Sequence, residues 1–290
     1  MSTLYDAMVA VGIPTPPAKA KPTSNGYLRW GNRYWLRQLD DVAFFGDWHT
    51  GESHTWFADN GKPLDAKQQT ERKAHLARLR NQQKQEAERA HAEIAARCSR
   101  LWDAMPETGK SPYLERKWVA AFGIRYHNDS VVIPLHDVTG KLCSLQTIQA
   151  DGFKHFTTGG KKRGCFHTIG EISDFVIVAE GYATAASIHM ATRATCIVAF
   201  DTGNLEPVIE ALAQKYPDLV ITIAADDDRW KPHIGNPGRI KANEAAKRFG
   251  CVVALPWFKD CTSKPTDWND LHVLEGLGTV KSQLAEVMPC

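Results

Sequence analysis

Four sets of acidic residues in the second half of the chain each follow a short apolar run. Glu180 comes after 175–179, Asp201 after 196–200, and Asp226, Asp227 and Asp228 after 219–225; Asp267 and Asp270 lie beyond 251–255. Carboxylates gathered on one spot repel each other unless cations intervene. Hard oxygen donors with room for water favour Mg2+ or Mn2+ over zinc. Ions held in that way activate an attacking oxygen and stabilise a leaving one. Side chains two apart on an extended segment share a face, so Asp226 and Asp228 can point together while Asp227 points away. Asp201, followed by Thr202-Gly203-Asn204, fits a helix N-cap equally well.

The apolar runs alternate with stretches that read as helices at about 183–192, 205–215 and 239–249. Continuous apolar strands separated by helices predict a parallel sheet covered on both faces. Ligands of such sheets bind beyond the carboxyl ends of the strands, which is where these acids fall. The segment from Gly235 to Asn243 reads as a Gly-Pro turn opening a helix. Arg239 and Lys241 there suit either a phosphate contact or an ordinary capped start.

The front half is built differently. Residues 1–25 read as a flexible, Pro-rich arm. Residues 26–63 are dense in aromatics and predict a small antiparallel sheet with turns at Gly31-Asn32 and Gly46-Asp47. Its rings fit a small core or a surface that stacks nucleobases. A polar stretch free of Pro and Gly predicts one long helix within 64–107, with Leu76, Leu79, Ile94, Cys98 and Leu101 as its buried positions. Residues 108–170 read as a basic α+β subdomain: a hairpin of 130–135 and 142–148, then a flexible loop over 154–164 in which Lys161, Lys162 and Arg163 sit between glycines and could meet phosphate.

Charge is divided along the chain. Residues 171–290 hold 11 Lys+Arg and 16 Asp+Glu, so of the totals of 35 and 33 residues 1–170 hold 24 and 17. A basic front and an acidic back suit a protein that holds a polyanion with one part and metal ions with the other. The seven cysteines are scattered with no C-x-x-C pair, so neither zinc nor a disulfide framework is expected. With no secretory start and no long apolar run, a cytoplasmic protein without membrane partners is expected.

Val178-Ala-Glu-Gly-Tyr-Ala-Thr-Ala-Ala-Ser187 resembles the first motif of the Toprim domain, a Glu-Gly after a strand, and Ile223-Ala-Ala-Asp-Asp-Asp-Arg229 resembles its Asp-x-Asp motif. Tyr after Glu-Gly is typical of the primases in that group. Ser111-Pro-Tyr-Leu-Glu-Arg-Lys117, Val132-Ile-Pro-Leu-His-Asp-Val-Thr-Gly140 and the basic glycine-rich loop are similar to the basic subdomain of bacterial-type primases. The 44–56 segment and Thr266-Asp-Trp-Asn-Asp270 are similar to segments of primases of plasmids, phages and integrative elements.

The resemblance implies a Toprim α/β domain over 171–290, preceded by the smaller basic subdomain and the long helix. It implies Glu180 at the catalytic centre as metal ligand or base, Asp226 and Asp228 holding the catalytic Mg2+ or Mn2+, and Asp267 and Asp270 holding a second ion or the triphosphate. Lys161, Lys162 and Arg163, with Arg116, Lys117, Arg229, Arg239 and Lys241, would meet template or nucleotide. The implied activity is primer synthesis from NTPs on single-stranded DNA, with a replicative helicase as candidate partner, in the replication of a mobile element. The chain departs from replicative primases in showing neither a zinc ribbon nor a recognisable helicase module. A Toprim nuclease and a non-catalytic single-strand-binding accessory protein are the alternatives.

Overall fold

The computed structural model describes the chain except for residues 1–2, 24–25, 40–41, 49, 59–64, 231–234 and 289–290. It divides into two compact units, Met1–Asn81 and Gln82–Cys290.

In the first unit a short helix α1 (Leu4–Ala10) precedes four strands, β1 (Leu28–Trp30), β2 (Tyr34–Leu39), β3 (Val42–Asp47) and β4 (Ser53–Phe57), which form an antiparallel sheet in that order. Leu4, Met8 and Ile13 pack with Leu36, Ala43 and Phe45 into its core. The arm expected over 1–25 thus contains a helix, closed at its start by a capping box between Thr3 and Asp6. Burial of Met8 fixes a segment too short to be helical alone. Gly31 and Asn32 lie in the β1–β2 turn with positive φ. The turn expected at Gly46-Asp47 is instead strand. Gly46 is needed there because a Cβ would come within 2.8 Å of the Trp35 indole nitrogen.

The long helix α2 (Ala66–Ala104) begins in the first unit and ends in the second. Asp65 starts it: its Oδ1 accepts from the Gln68 amide at 2.8 Å, and Gln68 Oε1 accepts from the Asp65 amide. The expected start of this segment at residue 64 lies outside the described residues. In its second half Ile94, Cys98 and Trp102, with Met105 just past its end, pack on Val132 and Leu145. Leu101, expected inside, is 46% exposed, because the i, i+4, i+8 stripe through Ile94, Cys98 and Trp102 runs past it.

The second unit continues with α3 (Pro112–Lys117) and a four-stranded antiparallel sheet, β5 (Arg125–His127), β6 (Ser130–His136), β7 (Leu142–Ile148) and β8 (Lys154–Phe156), again in chain order. The loop expected from 154 therefore begins as an edge strand, with Lys154 paired to Ile148. The second sheet follows: β9 (His167–Ile169), β10 (Phe175–Ala179), α4 (Tyr182–Thr192), β11 (Cys196–Val198), α5 (Thr202–Lys215), β12 (Val220–Ala224), α6 (Pro237–Phe249), β13 (Val252–Ala254) and α7 (Trp268–Leu284), the last kinked at Gly276. Its strand order is β13-β12-β10-β11-β9; β10 to β13 run parallel and β9 closes the β11 edge antiparallel.

The parallel strands are buried on both faces. Ile177, Ala179, Cys196 and Val198 join one core with α4 and α7, while Val176, Val178, Ile197 and Ile223 join another with α5 and α6. The chain leaves β10 first for β11 on one side and then for β12 on the other, so the order reverses at β10. That reversal opens a crevice at the carboxyl ends of β10 and β12.

Candidate functional site

Glu180 is the first residue past β10, and Asp226 to Asp228 follow β12, its hydrogen-bonded neighbour. The pairing Ala179↔Ala224 brings the two strand ends level. Glu180 is half-buried, and Thr202 at the start of α5 donates its hydroxyl to Glu180 Oε2 at 2.7 Å. Burial pushes the Glu180 carboxyl above its usual range, with the charges of Asp201 and Asp228 adding to the rise. Asp226 is pushed up to about 8, first by burial and then by Asp267, Glu180 and Asp228. Its Oδ1 is buried with no hydrogen-bond partner among the described residues.

The three consecutive aspartates divide between two faces. Asp227 is 3% exposed. It accepts from Arg229 Nε at 2.7 Å and from Asn236 Nδ2 at 2.6 Å, while its amide donates to Thr266 O at 2.7 Å. Asn236 Oδ1 accepts from the Asp228 amide at 3.0 Å. Helix α6 starts directly against this turn: a Cβ on Gly238 would stand 2.8 Å from the Asp226 carbonyl oxygen. Asp227 therefore braces the segment, leaving Asp226 to face Glu180.

The remaining acids separate. Asp201 caps α5, its Oδ1 accepting from the Asn204 amide, and its other oxygen takes Lys162 Nζ. Asp267 caps α7 in a capping box with Asp270 and still acts on Asp226. Asp270 turns outward: its Oδ2 accepts from the Thr266 amide and its Oδ1 lies 3.8 Å from Lys117 Nζ. Arg116, Lys117, Pro265, Asn269 and Asp270 line a cleft of about 310 Å³.

The basic residues are not one patch. Arg116 donates to Ala150 O, Arg229 serves Asp227, and Lys241 pairs with Glu244 on α6. Lys161 lines a separate cleft with Glu88, His91, Asp137 and Cys143. Arg163 and Arg239 are exposed. A cation that the sequence did not single out joins the carboxylates. Lys154 lowers both Glu180 and Asp226, and its Nζ faces the open flank of Gly181, 3.9 Å from where a Cβ would stand. A lysine opening an edge strand carries no motif, so only the pairing of β8 to β7 brings it there.

Among the described residues no three His, Cys, Asp or Glu side chains form a ready-made metal cage. The carboxylates nevertheless fit a hard divalent ion. Asp226 Oδ1 is unpartnered, Glu180 and Asp228 raise the affinity of Asp226 for positive charge, and Asp228 raises that of Glu180. Mg2+ suits such an open set, since it keeps waters and takes one or two carboxylates beside substrate phosphates.

An α/β sheet with Glu-Gly past one strand and Asp-x-Asp past its neighbour defines the class: residues 175–278 match the Toprim domain model, and this part of the chain is a Toprim domain. A particular relative is DNA primase TraC of Escherichia coli, 36% identical over 225 residues, covering 72% of this chain and 21% of that protein. A second DNA primase TraC of Escherichia coli is 36% identical over 220 residues, covering 72% and 15%. The chain thus spans less than a quarter of either relative. Among solved structures, the Aquifex aeolicus primase (zinc binding and RNA polymerase domains) aligns over 90% of this chain and 80% of that one, with a TM-score of 0.48 and 11% identity. Among the described residues no helix is long and apolar enough to cross a membrane.

Proposed function

We propose that the chain is the catalytic part of a DNA primase, joining nucleotides de novo on a single-stranded DNA template. The observation that carries this reading is the unpartnered Asp226 carboxylate oxygen, buried beside Glu180 at the strand-order reversal. Glu180, Asp226 and Asp228 would hold Mg2+ or Mn2+. A bound divalent ion there supplies charge neutralisation at the transferring phosphoryl group and lowers the pKa of a coordinated oxygen.

The protein's own residues set the stage for that chemistry. Thr202 fixes the Glu180 carboxylate through Oε2, leaving Oε1 for a ligand. Lys154 offsets part of the negative charge and is placed to meet a nucleotide phosphate. Asp227, Arg229 and Asn236 hold the turn so that its flanking aspartates keep their direction. Arg116 and Lys117 line the adjoining cleft, next to Asp270, where NTP or template phosphate would be drawn. Lys161, Lys162 and Arg163, with Arg239 and Lys241, lie apart from one another and would draw the template strand only through their summed charge. The similarity to DNA primase TraC supports the same reading; a replicative helicase as partner and a mobile element as host belong to the proposal.

The test is primer synthesis: purified protein, unprimed single-stranded DNA, labelled NTPs and Mg2+ or Mn2+, with products resolved by length. Template-dependent short oligonucleotides are expected, and Glu180→Gln and Asp226→Asn should abolish them while leaving the fold intact. Cleavage of the DNA without nucleotides would move the assignment to a Toprim nuclease.

A further inference from the structure

The outer face of the sheet in the first unit carries rings and guanidinium groups that the chemistry at Glu180 does not use. Strand alternation turns Leu36, Ala43 and Phe45 inward. On the other face the register sets Arg29, Trp35, Gly46 and Ser53 side by side across all four strands, with Arg37, Phe44 and Thr55 in a neighbouring row. Because Gly46 has no side chain, the Trp35 indole lies across the sheet against it. Tyr27 and Trp48 flank Trp35 with ring centroids 5.8 and 5.6 Å away.

Cations interleave with these rings. The Arg29 guanidinium stands 5.9 Å from the Tyr27 ring centre and 5.6 Å from that of Trp48, and Arg37 stands 5.1 Å from Tyr27. Beside them Arg29, Trp30, Asn32, Arg33, Tyr34 and Trp48 line a cleft of about 260 Å³. At the far end of the sheet Arg72 covers Phe57 at 3.2 Å, so the open part of the face is the end that holds Trp48.

Charge and exposure choose the occupant. Trp48 is 55% exposed, so the row of rings is not closed over as a core would be. Arg33 is matched by Asp47 at 2.6 Å, but neither Arg29 nor Arg37 has an ion pair among the described residues. Arg37 Nε is buried without a hydrogen-bond partner. An apolar partner would leave those guanidinium groups uncompensated. A single nucleic-acid strand offers both complements, since its bases can stack on rings while its phosphates meet arginines. A duplex does not, because its bases are already stacked on one another.

We propose that this face binds single-stranded nucleic acid, with Trp48 and Trp35 as stacking platforms and Arg29 and Arg37 on the phosphates, at about one base per ring. The site is separate from the carboxylates, and its test does not depend on primer synthesis.

Fluorescein-labelled dT20 is titrated into the full chain and its variants, with polarisation as the readout. Trp48→Ala should weaken binding on the order of tenfold, and Trp48→Phe should recover most of the loss. Arg29→Ala should reduce the slope of log affinity against log salt by about one. An abasic strand of equal length should bind wild type and Trp48→Ala alike, and rU20 run in parallel identifies whether DNA or RNA is preferred. Because other parts of the chain also attract phosphate, the Trp48 indole N–H resonance, assigned by its loss in Trp48→Phe, gives a local readout on adding dT4. A shift that saturates supports the site. An unmoved resonance, or a Trp48→Ala effect equal on abasic and normal strands, overturns it.

Discussion

His167 on β9 is 3% exposed and held neutral. Burial pulls its pKa down from 6.5 to about 4, against the opposing effect of its bond to Phe122 O, and His136 adds a smaller repulsion. The carbonyl of Phe122 can only accept, so at 2.9 Å His167 Nε2 must carry the proton. The unfolded chain takes up a proton near pH 6.5 and the folded chain only near pH 4. Between those values the unfolded state binds more protons, so the contribution of this group is complete above pH 6.5 and drains away as pH falls toward 4. The full difference is about 2.5 pH units, or about 3 kcal/mol, and at pH 5 some 1.5 units of it, about 2 kcal/mol, has been lost.

The perturbation is His167→Gln, whose amide can still donate to Phe122 O but does not titrate. Urea unfolding followed by tryptophan fluorescence at pH 7.5 and pH 5 gives the stability of each protein at each pH. The variant starts lower, through imperfect filling of the site, but wild type should lose about 2 kcal/mol more than the variant on acidification. The same carboxylates titrate in both proteins, so the comparison cancels them. Nitrogen-detected NMR of the imidazole at pH 5 should show the neutral ring with Nε2 protonated. Equal losses in the two proteins, or a charged imidazole at pH 5, would refute the reasoning.

Asp226→Asn should abolish primer synthesis yet raise the melting temperature in EDTA at pH 7 by several degrees, since the fold no longer has to hold an acid whose pKa it pushes up to about 8, a gain of about 2 kcal/mol; a lower melting temperature in calorimetry would sink this. Lys154→Ala should cut primer synthesis by an order of magnitude or more with little change in melting temperature, and steady-state rates at several Mg2+ concentrations check it. Arg229→Ala removes one partner from the buried Asp227 carboxylate and should cost about 1–2 kcal/mol, discounted because the Arg229 side chain is 44% exposed; urea unfolding measures it. Asn269→Leu removes the donor that ties α7 to Lys117 O at the end of α3 and to Ser187 Oγ on α4, and should cost about 1–3 kcal/mol in the same assay.

The parallel sheet was legible because each strand is a continuous apolar run, three of the four being closed at once by a carboxylate. Phe175–Ala179, between Asp174 and Glu180, was read with its observed bounds. Strand β9 was not, because three residues carry no periodicity and His167–Ile169 becomes a strand only by pairing with Cys196–Val198. The same limit hid α1, whose buried Leu4 and Met8 mean nothing until a sheet lies beneath them. Glu180 and Asp226 were readable from chemistry and spacing. Their cation was not: Lys154 comes from a different sheet, and the sequence pointed instead to the glycine-flanked cluster, of which Lys162 is held by Asp201 and Lys161 faces another cleft.

Three aspartates in a row seem redundant until their partners are compared. Asp227 is buried but fully engaged, by Arg229, by Asn236 and, through its amide, by the Thr266 carbonyl. Those bonds tie the segment after β12 to the start of α6 and to the loop before α7. Asp226, one residue away, is half-buried, yet it has a buried oxygen that nothing in the described chain satisfies. A fold seeking only stability would replace Asp226 and keep Asp227. Retaining the unsatisfied carboxylate and anchoring it through its neighbour is the arrangement expected when the missing partner is a ligand, because a turn held rigidly on one face presents its other face at a fixed position.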